Sequence, residues 1–394
     1  MPAAARAPAA PPRAHRRASA RRVALFVLVA VIVLLVRPVG AHLRAASLLV
    51  RFSDPNATSA VADVARHPVA ESDLTVPAHG GPTRARLYTP TGVDHPPGIV
   101  LLHGVHYKGI AEPRLVRFAQ TIAATGITVL TPEIREIADY HIDAASLETI
   151  AGATRTLKDT LGATKGVGVM GLSFSGGLAL VAAADPRFNA DIAYVVAVGA
   201  HDDLPRVLRF FATDTIDKPD GTHETMHAHD YGPLVLVYSS IDDFFPADDV
   251  PVAREALRLW LGEQFDAARE KANGLSEKSA SRMQTLFDHK VASLAPELLA
   301  EIEKRRDAMR AVSPHDHMKD VKVPVYLLHG AGDSVIPASE TLWLAADAPR
   351  GIVRGALVSQ AIEHVELHGE PTSGEKWALV HFMSGVLSEA DAHR

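Results

Sequence analysis

Two serines, Ser173 and Ser175, lie in the stretch GVGVMGLSFSGGLAL, between a short apolar run and a segment typical of a helix. A serine hydroxyl is a weak nucleophile near neutral pH. It needs a neighbouring base, a group that orients the base, and donors for the oxyanion that forms. A sharp turn from a strand into a helix supplies part of this, because it exposes the hydroxyl and directs the helix N-terminus at the developing charge. The stretch therefore predicts a nucleophilic serine.

The choice between the two serines depends on the small residues that this cramped turn requires two positions before and two after the nucleophile. Around Ser173 these positions hold Gly171 and Ser175, and the apolar run 167–170 ends just before the turn. Around Ser175 the turn would instead contain bulky side chains. We therefore predict Ser173 as the nucleophile and Ser175 as a small residue at the helix start. A glycine-rich junction without chemistry is the alternative.

The stretch LLHGVHYKGIAEP is the candidate for the oxyanion loop. A strand that ends in the His-Gly pair 103–104 allows the following backbone to approach the serine. The N–H groups of Val105 and Phe174 then form the predicted oxyanion pair. We expect His103 to orient the loop rather than to act in catalysis. His106 and Tyr107 either line the pocket or lie on a plain surface loop.

The carboxylate of the site is predicted at Asp333, in the stretch HGAGDSVIP. This aspartate follows a buried apolar run by a few small residues, which suits a side chain that extends over the edge of a sheet. An ordinary turn aspartate has the same local sequence. Asp202, Asp203, Asp242 and Asp243 compete for the role, and we rank them below Asp333.

The base is predicted at His364, in the stretch LVSQAIEHVELHG. His364 falls in the first loop after the last predicted strand, whereas the alternative, His368, comes nearer to the following helix. The sequence contains 20 histidines, so a histidine near this position is weak evidence by itself. The order of Ser173, Asp333 and His364 along the chain gives the choice its weight.

The elements around these residues alternate between apolar strands and helices, which argues for a mostly parallel sheet covered on both faces. Several of the strands are unbroken apolar runs of the kind that is buried on both faces. Strands are predicted within 73–76, 83–88, 98–104, 127–133, 166–171, 192–201, 323–337 and 351–359.

The alternation stops after the strand that ends near residue 201. The following segment has long charged amphipathic helices and one strand-like apolar run, PLVLVYSSIDD. We interpret it as a helical cap. The predicted organisation is a disordered basic leader (1–22), a signal-anchor or signal peptide (23–43), a linker (44–66), the first part of an α/β core (67–203), the cap insertion (204–322) and the second part of the core (323–394).

The N-terminal region predicts that the protein is located outside the cytoplasm. Residues 23–36 are fourteen apolar residues without a charge, preceded by an Arg-rich leader that favours a cytoplasmic N-terminus. A full span needs about 20 residues, so the run also suits the core of a signal peptide. We predict an uncleaved signal-anchor with the main body outside the cytoplasm. Cleavage after Ala41 and export is the alternative.

Composition excludes several classes of protein. The 394 residues include no cysteine, so disulfide scaffolds and thiolate chemistry are ruled out. A net charge of −6 provides no basic face for nucleic acid. The histidine-rich stretches 223–230 and 315–320 contain metal-ligand types, but solvated loops explain both more simply. We expect no metal site and no cofactor.

Together these stretches resemble the α/β-hydrolase superfamily over roughly residues 68–390. The order Ser173, Asp333, His364 matches the order of nucleophile, acid and base in that superfamily. The resemblance implies a mostly parallel eight-stranded sheet flanked by helices with a helical cap. It also implies hydrolysis through an acyl-enzyme, in which His364 takes the proton of Ser173 and Asp333 orients the imidazole. Ser175 is the departure from the usual motif.

The sequence looks closest to membrane-anchored or exported bacterial hydrolases. Fold does not fix the substrate, so the reaction remains a hypothesis. We predict a serine esterase that cleaves a small-molecule or lipid-like carboxylic ester. The alternatives are a peptidase or amidase of the same fold, and a non-catalytic binding protein.

Overall fold

The computed structural model describes residues 38–363, 366–367 and 371–394. The strands of this part of the chain are β1 (Val69–Val76), β2 (Thr83–Pro90), β3 (Gly98–Leu102), β4 (Thr128–Pro132), β5 (Val167–Leu172), β6 (Ile192–Val198), β7 (Thr215–Asp217), β8 (His223–Thr225), β9 (Val325–Gly330), β10 (Val353–Ser359), β11 (Ile362–Glu363) and β12 (Glu366–Leu367).

The helices of the same part of the chain are α1 (38–53), α2 (Pro113–Ala123), α3 (Arg135–Ala138), α4 (Ser146–Leu161), α5 (Phe174–Ala184), α6 (Leu204–Thr213), α7 (Tyr231–Ser239), α8 (Ile241–Phe244), α9 (Val250–Leu261), α10 (Phe265–Ala272), α11 (Glu277–Phe287), α12 (Ala295–Lys304), α13 (Arg306–Arg310), α14 (Ser339–Asp347) and α15 (Ser373–Ala392).

Eight of the described strands form one sheet in the order β1-β2-β4-β3-β5-β6-β9-β10. The pairs β1–β2 and β2–β4 are antiparallel, and every other neighbouring pair is parallel. All residues of β3, β4, β6 and β9 are buried, as expected for strands with unbroken apolar runs that are covered on both faces. This confirms the predicted mostly parallel eight-stranded sheet flanked by helices.

Helices cover the two faces of the sheet and divide the apolar core into two layers. On one face α4 and α5 pack against the strands, and this layer continues into the helices of 204–322. On the other face the layer is formed by α1, α2 and α15. The carboxyl ends of the parallel strands therefore lie between the helical segment 204–322 and the layer that contains α1.

The segment between β6 and β9 is largely helical. It contains α6 to α13 and the short antiparallel pair β7–β8. The strand-like run PLVLVYSSIDD is wrong as a strand, because it lies in α7 and α8. Seven consecutive residues of α7, 232–238, are buried, so the run is apolar all round and shows no helical period. A buried helix and a buried strand cannot be distinguished by such a pattern.

The N-terminal part of the described chain differs from the predicted linker at 44–66. Residues 38–53 form helix α1, in which Leu48 is fully buried against the core. The Arg44 guanidinium forms an ion pair with Asp391 of α15 at 2.6 Å, and the Ser47 hydroxyl donates to the carbonyl of Ala62 at 2.8 Å. Residues 44–53 are therefore a packed element of the fold rather than a connection.

The predicted leader and the apolar run 23–36 lie outside the described residues. Within the described ranges, every helix is too short or too polar to cross a bilayer.

Candidate active site

Ser173 occupies a strained turn between β5 and α5. Its φ and ψ angles are 56° and −134°, a combination that L-residues with a side chain rarely adopt. Two backbone hydrogen bonds fix the turn: the Ser173 N–H donates to the carbonyl of Val198 on β6, and the Gly176 N–H donates to the carbonyl of Ser173, both at 2.8 Å. Strain of this kind persists where the surroundings determine the geometry, and it is typical of a nucleophile turn.

Gly171 is required because the helix start passes directly over it. A Cβ atom at this position would lie 2.3 Å from the carbonyl oxygen of Ser175 and 2.6 Å from the Cα of Gly176. Both contacts are with backbone, which cannot rotate away. The glycine two residues before Ser173 thus allows α5 to begin immediately after the strand.

Ser175 is fully buried, and its hydroxyl donates to the carbonyl of His103 at 2.6 Å. This bond connects the start of α5 to the end of β3, where the predicted oxyanion loop begins. The hydroxyl is therefore occupied by a structural hydrogen bond. The departure from the usual glycine has a physical role, which is to hold the loop against the serine turn.

The loop after β3 passes beside Ser173. A Cβ built on Gly104 would lie 3.5 Å from the Cβ of Ser173, so the two backbones are in close contact. Val105 and Phe174 line the same cavity as Ser173. Phe174 is the first residue of α5, where the amide has no acceptor within the helix and the helix dipole is positive. The structure thus brings both predicted oxyanion residues to the serine.

His103 is buried behind this loop in a neutral form. Its Nδ1–H donates to the carbonyl of Gly104 at 2.9 Å, and its Nε2 accepts from the Ile134 N–H at 3.0 Å. Burial lowers the pKa of His103, which keeps the ring uncharged. With both nitrogens engaged, the side chain orients the loop and is unsuited to proton transfer.

Glu133 holds the far side of the same loop. Its carboxylate accepts from the Ile110 N–H at 2.9 Å and forms an ion pair with Arg84 at 3.3 Å. Gly109, next to Ile110, has a φ of +49°, and a Cβ there would overlap the Glu133 carboxylate at 2.3 Å. The loop is therefore fixed at both ends, by His103 and by Glu133.

Asp333 is fully buried in the loop that follows β9. Its Oδ1 accepts from the N–H groups of Val335 and Ile336, both at 2.9 Å, and its Oδ2 lies 3.4 Å from Nε2 of His329. His329 is itself fully buried between Thr341 and the Ile336 carbonyl, so it stays with the core. The neighbours of Asp333, Ser334 and Val335, line the cavity with Ser173.

The predicted base, His364, and the alternative, His368, both lie outside the described residues. Ile362, just before them, pairs with Leu367 in the β11–β12 hairpin and lines the cavity that contains Ser173. The described residue Ile362 therefore borders the candidate site.

The competing aspartates lie elsewhere. Burial and the Glu340 carboxylate raise the pKa of Asp202 to about 7, which is unsuitable for an acid that must stay ionised. Asp202 accepts from Arg206 at 2.8 Å, away from the residues that line the cavity. Asp243 forms ion pairs with Lys304 and Arg305 in the helical segment. Asp203 is next to Asp202 and Asp242 is next to Asp243, so both lie in the same two regions away from the cavity.

Part of the histidine-rich stretch 315–320 joins an ion-pair network. The ligand atoms of Asp202, His315 and Asp347 lie within 4.8 Å of one another. The His315 Nδ1 is 2.6 Å from the Asp347 carboxylate and 3.3 Å from that of Asp202. Arg206 also donates to Asp202, so both carboxylates already have side-chain partners.

A cavity of about 480 Å³ opens at Ser173. It extends over β5, β6 and β9 into the layer formed by α1, α2 and α15, where most of the lining is apolar. The polar lining residues include His106 in the loop after β3 and Glu112 and Arg114 at the start of α2. An apolar group attached to a carbonyl carbon at Ser173 would therefore have a largely apolar space to enter.

Several lining residues are absent from the prediction. His229 and Tyr231 reach the cavity from the helical segment, where the Tyr231 hydroxyl donates to the Val105 carbonyl at 3.2 Å. Leu48, Leu49 and Phe52 reach it from α1. His229 and Tyr231 lie in or next to the stretch 223–230, which was considered only for metal binding. The three residues of α1 lie in the predicted linker. The sequence shows their apolar or aromatic character, but it does not show that they line this cavity.

The strand order, the parallel pairing and the strained serine turn between β5 and α5 define the α/β-hydrolase fold, and the protein has that fold. This confirms the resemblance found in the sequence. No protein-family model matches the chain.

Two Mycobacterium tuberculosis proteins, from strains CDC 1551 and H37Rv, are each 32% identical to the chain over 165 residues, and their names propose a phosphoribosyl transferase. The match covers 39% of this chain and 34% of those proteins. The chain therefore spans about a third of the length of the curated relatives it matches.

Solved structures that are similar to the chain include hydrolases. An esterase from Pyrobaculum calidifontis is 19% identical, with a TM-score of 0.47, over 89% of this chain and 91% of that chain. An acylaminoacyl peptidase from Pyrococcus horikoshii is 12% identical, with a TM-score of 0.48, over 82% and 42%. A puromycin hydrolase is 18% identical, with a TM-score of 0.49, over 85% and 40%.

Proposed function

We propose that the protein is a serine hydrolase that cleaves a carboxylic ester through an acyl-enzyme. The observation that carries the proposal is the strained turn at Ser173, which opens onto an apolar cavity of about 480 Å³. Ser173 is the nucleophile, His364 the base and Asp333 the acid that orients it. The amides of Val105 and Phe174 stabilise the oxyanion.

The steps follow from these roles. His364 takes the proton of the Ser173 hydroxyl as its oxygen attacks the ester carbonyl, and the negative charge develops on the carbonyl oxygen between the two amides. Collapse of this intermediate releases the alcohol, which receives the proton from His364, and leaves the acyl group on Ser173. Water, activated by the same histidine, then releases the carboxylic acid.

A fluorophosphonate probe tests the nucleophile directly, because it forms a covalent bond only with an activated serine. The wild-type protein should be labelled, and Ser173→Ala should abolish both labelling and ester hydrolysis, with a loss of activity on the order of 10⁴-fold or more. Ser175→Ala is the matched control and should still be labelled. Wild-type protein that resists the probe would contradict the proposal and favour a binding protein. A Ser173→Ala variant that is labelled equally well would contradict Ser173 as the nucleophile.

The ester preference is tested by comparing p-nitrophenyl acyl esters with aminoacyl p-nitroanilides at equal concentration. The apolar lining of the cavity supports the ester, since a peptide carries amides that need hydrogen-bond partners. Faster turnover of the anilides would instead indicate the peptidase alternative.

The location of the enzyme is a separate part of the proposal. We infer that residues 23–36 anchor the protein in a membrane, with the hydrolase body outside the cytoplasm, on the basis of the apolar run and its Arg-rich leader. Cleavage after Ala41 would divide α1, where Ala41 is buried. Membrane fractionation and N-terminal sequencing test this, and a mature N-terminus at His42 would establish cleavage instead.

A further inference from the structure

We propose that α1 is part of the substrate site, where Leu48, Leu49 and Phe52 form one wall of an acyl-chain cavity and limit the length of the chain. The inference rests on the proposed function, and it names the substrate as an ester of an unbranched apolar acid.

The wall is fixed to the rest of the fold by polar contacts of other residues of α1. The Arg44 guanidinium donates to the Asp391 carboxylate at 2.6 Å and to the Thr125 carbonyl at 3.1 Å. The Ser47 hydroxyl donates to the Ala62 carbonyl at 2.8 Å. These bonds tie α1 to the C-terminal helix, to the end of α2 and to the chain that follows α1, so the wall has a defined position.

The side chains of α1 line the cavity together with apolar residues of helices α2 and α15 and of strands β5, β6 and β9. The ring of Phe52 lies 5.0 Å from the ring of Phe118 on α2. Leu379 and Met383 of α15 line the cavity beside α1. The strands contribute Met170, Val196 and Leu328.

The polar side chains that line the cavity belong to Ser173, the loops after β3 and β9, the helical segment 204–322 and the start of α2, whereas the lining residues of α1, α15 and the strands are apolar. A ligand with a carbonyl group at Ser173 and a hydrocarbon chain toward α1 matches this distribution. A charged or amide-rich chain would lose its hydration there without gaining partners.

Chain length should then control the rate. Each methylene transferred from water to this cavity should raise kcat/KM about fourfold, which corresponds to about 0.8 kcal/mol. The rise should stop when the chain reaches α1. The optimum length is therefore a measure of the distance between Ser173 and the wall.

The experiment compares p-nitrophenyl esters from acetate to dodecanoate in the wild type and three variants of full-length protein. Leu48→Phe adds bulk to the wall and should shift the optimum to a shorter acid, with at least a tenfold loss on the longest good substrate. Phe52→Ala removes the ring and should shift it to a longer acid. Leu43→Phe is the matched control on the exposed side of α1, where Leu43 is 44% exposed, and should leave the profile unchanged. Fluorophosphonate titration gives the active fraction of each preparation.

A second measurement does not depend on hydrolysis. Calorimetric titration of Ser173→Ala protein with sodium salts of fatty acids should show tighter binding with each methylene, and Leu48→Phe in that background should weaken the longest acid most. An active wild type whose chain-length profile is the same in Leu48→Phe and Phe52→Ala would overturn the role of α1 and leave the hydrolase intact. A wild type inactive on every ester, with fatty-acid binding that responds to Leu48→Phe, would contradict the proposed function and support the cavity.

Discussion

The serine turn and helix α1 both border the cavity, but they are specified in different ways. Around Ser173 the local backbone geometry restricts the residues: Gly171 leaves space for α5, and Ser173 itself adopts a φ of 56°. Helix α1 has no such local signature. It borders the cavity because Leu48 and its neighbours are buried against α2 and α15. A few adjacent residues specify a turn of this kind. The wall formed by α1 depends instead on how well its surface fits residues that are distant in the sequence.

The largest expected effect tests the local restriction at Gly171. Gly171→Ala places a Cβ 2.3 Å from the backbone oxygen of Ser175, so the helix start must move. We expect a loss of stability on the order of 4 kcal/mol and loss of fluorophosphonate labelling, because both the turn and the oxyanion amide shift. Thermal unfolding and labelling of the same preparation measure the two effects. A stable, fully labelled variant would show that the turn is less constrained than the geometry indicates.

The next expected effect is a pH dependence of the protein's stability, which comes from a histidine packed beneath the same turn. His201 is fully buried and contacts the ring of Phe174, with 5.4 Å between ring centroids. Its Nε2–H donates to the Val312 carbonyl at 3.0 Å. Burial lowers the pKa of His201 from 6.5 to about 4. Between these values the unfolded chain binds more protons than the folded one, so the stability is present above pH 6.5 and is lost as the pH falls toward 4.

Protonation of this histidine in the unfolded chain should thus lower the free energy of unfolding by about 3 kcal/mol as the pH falls from 6.5 to 4. His201→Gln keeps a donor for the Val312 carbonyl and has no titration in this range. The melting temperature of the wild type should fall more than that of the variant between pH 7 and pH 5. Parallel curves for the two proteins would exclude His201 as an acid-sensitive support of the turn.

A smaller effect is expected at Ser175, where the local motif depends on a distant partner. Ser175→Ala removes the 2.6 Å hydrogen bond to the His103 carbonyl and leaves a buried acceptor unpaired. This should lower the free energy of unfolding by about 1–3 kcal/mol and reduce kcat, since the oxyanion loop loses a constraint. Denaturant titration and ester kinetics provide the measurements. Unchanged stability with unchanged kcat would mean that His103 and Glu133 hold the loop without Ser175.

The smallest effect uses a glycine of α1 as the counterpart of Gly171. A Cβ at Gly40 meets no atom within 4 Å, and the residue is helical. Gly40→Ala should therefore stabilise the protein by about 0.5–1 kcal/mol through helix propensity, with no change in activity. Denaturant unfolding of the two proteins measures the difference. Destabilisation by Gly40→Ala would show that this end of α1 has close partners and is as constrained as the serine turn.

Much of the fold was predictable because its signals are local. The central strands are unbroken apolar runs bounded by glycine, and the turn at Ser173 follows directly from one of them. The position of Asp333 after β9 and the approach of Val105 to Ser173 follow from the same strand ends, because parallel strands direct their carboxyl ends to one edge. The base at His364 remains a prediction.

The errors have physical causes as well. Helix α7 was taken as a strand-like run because its buried residues leave no period to detect. Helix α1 was divided between the predicted signal segment 23–43 and the linker 44–66, because its burial depends on contacts with α15, more than 300 residues later in the chain. Local periodicity carries no information on such partners.

The sequence by itself determined the alternation of strands and helices, the small residues of the serine turn and the order of Ser173, Asp333 and His364. Only the tertiary structure decided that Ser175 holds the oxyanion loop, 72 residues earlier in the chain, and that α1 completes the cavity. The physical reason is that backbone geometry and hydrophobic period act between neighbouring residues. The shape and lining of a cavity depend on which distant surfaces are buried against one another.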